Sequence, residues 1–123
     1  MKISVNCPSY KRPYVETLEY LPFCKVWVSP EEYDAYVAAN PAGAQIIQCA
    51  DGVQGNLCRV SNYIMDTEVE NGADVVVIVD DDMKGMYYFE AVGTFGYNDI
   101  RVEPDDFIEF VEKHSIMAAD IGA

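Results

Sequence analysis

The sequence predicts an α/β fold built on an open, doubly wound and mainly parallel sheet. Two observations carry this. Short apolar segments alternate with amphipathic helical segments through the first 80 residues, the pattern of βαβ units with helices on both faces. The last of these apolar segments, residues 75–79, is an unbroken Val/Ile run, as expected of a strand covered on both faces. Connections between parallel strands are almost always right-handed, which winds the sheet in both directions.

The elements follow in order. "ISVNCP" reads as the first strand, and "PYVETLEYL" after Pro13 as a short helix. "KVWVS" is the second strand. In "SPEEYDAYVAAN", Ser29 is placed as an N-cap, Pro30 at the first helical position and Glu32 as the return arm of a capping box. Tyr33, Tyr36 and Val37 form the apolar stripe of that helix, and "NPAG" ends it. "QIIQCA" is the third strand. A helix over residues 55–72 carries Leu57, Val60, Ile64, Met65 and Val69 on one half of its wheel and Arg59, Tyr63 and Asp66 on the other, with Gly72 as its stop. "DVVVIV" is the fourth strand. Beyond it the pattern loosens: "KGMYYFEAV" reads as a further strand, "GTFGYND" as a loop, and residues 103–123 as a helix. That helix is expected to start on Pro104, Asp105 and Asp106 and to bury Phe107, Phe110, Val111, His114, Met117 and Ala118, with His114 a partly buried structural residue.

At 123 residues the chain is one domain's worth, long enough to bury a core without staples. No apolar run approaches the roughly 20 residues that span a bilayer, and the N-terminus lacks a signal-peptide pattern, so a cytoplasmic location is expected. Cys7, Cys24, Cys49 and Cys58 have no metal-ligand spacing and read as reduced core cysteines. A net charge of −13 argues against general affinity for nucleic acid or an anionic membrane. It leaves room for a small phosphorylated ligand, which needs only a local basic patch.

Ligands of open α/β sheets bind at the carboxyl ends of the strands. In this sequence that edge is "PSYKRP" at residues 8–13, "DGVQGN" at 51–56 and "DDDMKG" at 80–85. Of the eight basic residues, Lys11, Arg12, Arg59 and Lys84 lie in these loops or one helical turn beyond them, a concentration that suggests a bound anion. Three adjacent carboxylates, Asp80, Asp81 and Asp82, repel one another and resist desolvation, and a hard divalent cation, Mn²⁺ or Mg²⁺, removes the conflict while also taking phosphate oxygens. Strand geometry turns Asp80 and Asp82 to one side and Asp81 to the other. Each feature also has a plain structural reading: an Asp-rich turn, Ser9 as a helix cap, an Asx-turn at Asp51, a solvated Arg59.

Taken together, "ISVNCPSYKRP", an Asp after the third strand, "GNLCRVSN" on the next helix and "VVVIVDDD" resemble the nucleotide-binding half of the GT-A glycosyltransferases, over roughly residues 1–90. "PSYKR" together with "DDD" is similar to some phage-encoded glycosyltransferases that act on modified DNA bases. The resemblance implies a Rossmann-like half-domain in which Pro8, Ser9, Tyr10 and Arg12 line the nucleotide pocket and Asp51 meets the base. Arg59 and Asn62 would lie near the diphosphate, Asp80 would touch ribose or metal, Asp81 would orient the sugar, and Asp80 and Asp82 would hold Mn²⁺ or Mg²⁺. The implied partners are a nucleotide sugar, most readily a UDP-sugar, and an acceptor hydroxyl on a glycan, a protein or a modified DNA base. The acceptor half and general base of such enzymes lie in a C-terminal half, so the chain is expected to be the donor-binding part of something larger, with a sheet edge open to homo-oligomeric pairing. A nucleotidyltransferase-like domain and a non-catalytic α/β binding or assembly module are the competing readings.

Overall fold

In a computed structural model, which describes residues 1–120 and side chains through residue 118, the chain clusters into two compact units where the sequence suggests one domain. The first, Met1–Met83, holds a four-stranded parallel sheet. Its strands are β1 (Ile3–Pro8), β2 (Lys25–Val28), β3 (Gln45–Gln48) and β4 (Val75–Ile78), in the spatial order β3-β2-β1-β4. Its helices are α1 (Thr17–Tyr20), α2 (Tyr33–Ala39) and α3 (Leu57–Glu70). The chain builds leftward from β1 to β3 and then returns past β1 to β4. With right-handed crossovers this sets α1 and α2 on one face and α3 on the other, and makes the β1/β4 boundary the point where strand order reverses. The fold is thus Rossmann-like in general form.

Alternation along the strands sorts the core into two layers. Under α3, Trp27 and Cys49 pack with Val60 and Ile64, and Ile47, Val53, Tyr63, Val76 and Ile78 close around them. On the other face Val5, Cys7, Val26 and Val28 are buried, as are Val15, Leu18 and Leu21 around α1 and Tyr36 of α2. Cys7, Cys24 and Cys49 are free, buried thiols, and Cys58 is free and exposed. The side-chain contact with the neighbouring Cys24, and then burial, push the Cys7 thiol far above its ordinary range, so it is held neutral.

The structure departs from the sequence reading in several places. α1 is a single turn, because Asn40 takes the backbone before it: Asn40 Oδ1 accepts from Val15 N–H, and Asn40 Nδ2 donates to the Pro13 and Tyr36 carbonyls. The expected capping box does not form. Residues Pro30–Glu32 make a 3₁₀ turn, Ser29 Oγ donates to Glu32 Oε1, and Glu32 Oε2 accepts from Lys11 N–H instead of closing on its own helix. Among the described residues β4 pairs only with β1 and is half-buried, and the most deeply buried strands are the central β1 and β2. α3 is rotated about its axis: Val60, Tyr63, Ile64, Thr67 and Glu68 face inward, while Leu57, Met65 and Val69 are exposed. The "GTFGYND" segment is a loop only at its first three residues, the turn of residues 93–95. It contributes to β6 (Gly96–Val102), which pairs antiparallel with β5 (Met86–Val92) in the second unit. On the last helical segment His114 and Met117, both expected to be at least partly buried, are exposed.

The second unit, Lys84–Ala123, consists of this hairpin and α4 (Phe107–Asp120), the latter entered through a 3₁₀ turn at Pro104–Asp106. Phe107 is buried, and Phe110 stacks on Tyr88 with centroids 5.7 Å apart. The His114 ring stacks on Phe110 at 4.0 Å, and its Nδ1 lies 2.8 Å from the Phe110 carbonyl of its own helix. Met117 is exposed as well. The predicted helix run through residues 121–123 lies outside the described residues. No helix among the described residues is long and apolar enough to cross a membrane.

Candidate functional site at the carboxyl edge of the sheet

The β1 loop is shaped by contacts from the 3₁₀ turn Pro30–Glu32 and from α2. Lys11 sits in the left-handed region at φ 58°, a conformation a non-glycine residue holds only when its surroundings fix it. Here Glu32 takes the Lys11 N–H at 2.8 Å and the Tyr36 hydroxyl takes the Arg12 N–H at 3.1 Å. Lys11 Nζ lies 5.1 Å over the Tyr10 ring, a cation–π contact that steadies a half-exposed aromatic at the edge.

The aspartate triplet meets this loop through Asp81. Ser9 Oγ donates to Asp81 Oδ2 at 2.8 Å, and Arg12 Nη1 lies 3.1 Å from Asp81 Oδ1 and 3.8 Å from Asp82 Oδ2. The Ser9 hydroxyl has one proton and the carboxylate can only accept, so Tyr36 O–H must donate to Ser9 Oγ across their 2.8 Å contact. A directed chain results: Arg12 N–H to Tyr36, Tyr36 to Ser9, Ser9 to Asp81. Burial raises the Tyr36 phenol above its ordinary value, against the opposing effects of Ser9 and Arg12, so the hydroxyl keeps the proton this chain requires. Thr17 holds the triplet from behind. Its Oγ1 donates to the Asp80 carbonyl and accepts from Met83 N–H, and its N–H donates to the Asp81 carbonyl at 3.3 Å.

The three carboxylates therefore differ. Asp81 is 13% exposed and anchored, whereas Asp82, at 61%, is open to solvent, and Asp80 is exposed too. A cleft of about 350 Å³ is lined by Pro8, Tyr10, Arg12, Leu57, Asp80, Asp81 and Asp82. Beside it, sharing Pro8, Tyr10 and Leu57, a smaller hollow of about 230 Å³ is bounded by Ser9, Gln54, Gly55, Asn56 and Val60.

Of the residues singled out in the sequence, Pro8, Ser9, Tyr10, Arg12, Asp80, Asp81 and Asp82 come together at this edge. Asp51 lies on an exposed turn, Asn62 is exposed along α3, and neither borders either hollow. Arg59 stays with its own loop: Nε donates to the Val53 carbonyl and Nη2 to that of Gln54, while its N–H is capped by Asn56 Oδ1. It shapes the α3 entrance, where Gly55 adopts φ 95°, and lines neither hollow. Sequence reasoning missed Thr17, Asn40 and Gln54 and placed Tyr36 only in an apolar stripe. Gln54 Nε2 donates to the Trp27 carbonyl, which fixes its amide at the wall of the smaller hollow.

The donor set can hold a hard cation only in part. Among the described residues no group of three His, Cys, Asp or Glu side chains is arranged to enclose a metal. Asp80 and Asp82 are two exposed carboxylates on the cleft wall, the number with which Mg²⁺ is commonly held when phosphate and water complete its shell. Comparison with protein-family models, curated proteins and solved structures finds no match to this chain.

Proposed function

We propose that this cleft binds a nucleotide sugar, most readily a UDP-sugar, and that the chain is the donor-binding part of a metal-dependent glycosyltransferase of GT-A type. One observation supports this above the others. The aspartate triplet leaves β4 at the point where strand order reverses and borders one cleft with the basic, aromatic loop that follows β1. A pyrophosphate needs positive charge beside it, and Arg12 supplies a forked donor there. Asp80 and Asp82 would hold Mn²⁺ or Mg²⁺, which when bound supplies charge stabilisation to a departing diphosphate. Tyr10 offers a ring face to a base seated in the smaller hollow, where Gln54 presents its amide edge. Asp81, anchored by Ser9 and Arg12, keeps the two loops in register, and its open edge is available to a sugar hydroxyl.

Calorimetry with UDP and UDP-glucose, with and without Mn²⁺, tests the reading. Binding that strengthens with metal and is lost in Asp82→Asn supports it, and analysis of products with a glycan, protein or hydroxymethylated-DNA acceptor separates sugar transfer from nucleotidyl transfer. Failure of every nucleotide to bind would favour a non-catalytic module, for which the internal pairing of Asp81 with Arg12 and Ser9 is the supporting observation.

A further inference from the structure

We infer that Arg12 is an exchangeable counterion, pairing with Asp81 and Asp82 and transferring its guanidinium to the diphosphate when a metal–nucleotide complex enters. This rests on the nucleotide reading above and adds to it a coupling between the two ligands.

The geometry separates a fixed backbone from a free head group. The Arg12 N–H is held by Tyr36, and the residues on either side are tied down through Lys11 to Glu32 and through Pro13 to Asn40. The side chain is nevertheless 64% exposed and lines the cleft. Its protein partners engage it through Nη1, at 3.1 Å from Asp81 and 3.8 Å from Asp82, so the guanidinium has further N–H donors for a second acceptor. The longer contact is with the more exposed carboxylate, a weak and screened pair that exchanges readily. Asp81 does not depend on it alone, because Ser9 donates to its other oxygen.

A consequence for affinity follows. With Arg12 in place, a bare divalent cation meets a carboxylate pair already partly neutralised, and it meets a positive charge beside it. In a water-like dielectric, a unit charge about 6 Å from a dication changes its affinity roughly tenfold. A diphosphate draws the guanidinium away and brings its own negative charge, so metal and nucleotide each raise the other's affinity by the same factor.

The test is titration of the full chain with Mn²⁺ alone, followed by loss of the free-ion paramagnetic resonance signal, and then with UDP at saturating Mn²⁺. Circular dichroism melts confirm that each variant is folded. Arg12→Gln is expected to bind Mn²⁺ alone about tenfold more tightly than wild type and UDP with Mn²⁺ at least tenfold more weakly. Arg12→Lys keeps the charge without the fork, so it should retain weak Mn²⁺ binding. If wild type binds both ligands but Arg12→Gln takes up Mn²⁺ alone no better, the counterion role is overturned and the nucleotide reading stands. If wild type binds neither Mn²⁺ nor UDP, the nucleotide reading itself fails and this inference with it.

Discussion

Thr17 shows how much one side chain can organise. It is fully buried and joins three backbone groups of the segment after β4. Thr17→Val keeps the shape and removes the hydroxyl, leaving the Met83 N–H and the Asp80 carbonyl short of a partner. A cost of about 2–3 kcal/mol is expected in urea denaturation, with weakened UDP binding because the carboxylates lose their backing. Tyr36→Phe breaks the chain from Arg12 to Asp81 at its centre. We expect a loss of about 1–2 kcal/mol in the same measurement and a larger effect on nucleotide affinity than on Mn²⁺ uptake. The triplet and the "PSYKRP" loop were visible in the sequence as chemistry-bearing residues after strands. Thr17 was not, because its partners lie more than sixty positions away and nothing local marks a threonine as their hydrogen-bond partner. Tyr36 carried a weak signal, since a tyrosine at a fully buried position usually has a partner for its hydroxyl.

At the scale of the element, α3 is the informative case. Its hydrophobic residues suggested a face through Leu57, Met65 and Val69, yet the inward face runs through Val60, Tyr63, Ile64, Thr67 and Glu68. The reason is Lys25 at the start of β2, whose Nζ meets Glu68 Oε1 at 2.6 Å and draws a charged residue into the sheet interface, where Glu68 is 1% exposed. Beside this pair a polar row crosses the same face: Trp27 Nε1 donates to Asn6 Oδ1, and Asn6 Nδ2 to Ser4 Oγ. Burial alone would raise the Glu68 carboxyl, but the hydrogen bond and charge of Lys25 outweigh it and hold it below its ordinary value. A carboxylate lowered in the folded state adds stability above its unfolded value, near 4.3, and loses it as pH falls through the folded value. Stability should therefore be flat near neutrality and decline below about pH 4.5. Lys25→Met reverses the sign. It is expected to cost about 2–3 kcal/mol at pH 7, with part of the loss recovered on acidification as the unpaired Glu68 takes a proton, measured as melting temperature against pH. Asn56→Ala removes the α3 N-cap and should cost about 1 kcal/mol in the same assay. Hydrophobicity gave the helix its existence and ends, whereas a cross-element ion pair set its rotation.

The whole molecule follows a strand order that period and punctuation could not supply. Four parallel strands and the helices between them were legible from alternation, but the order β3-β2-β1-β4 comes from which edge β4 joins. That choice brings residues 8–12 and 80–82 together across β1 and β4, and it leaves Asp51, on the loop after β3, and Arg59 and Asn62, on α3, outside the cleft. The second unit was harder to read. Gly93, Gly96, Asn98 and Asp99 carry the punctuation of a loop, yet the seven-residue register from Met86↔Val102 to Val92↔Gly96 makes them part of a hairpin. Gly93, at φ 64°, sits where its turn reverses direction.

The central claim is that the β1/β4 boundary receives a diphosphate and its cation together. Crystals of the full chain grown with UDP and Mn²⁺, with data collected at the manganese absorption edge, examine it most directly. We expect an anomalous peak within coordination distance of Asp82, with the diphosphate in the cleft beside Arg12 and Tyr10. Manganese bound only at other carboxylates, or a cleft without nucleotide at millimolar UDP, would contradict it.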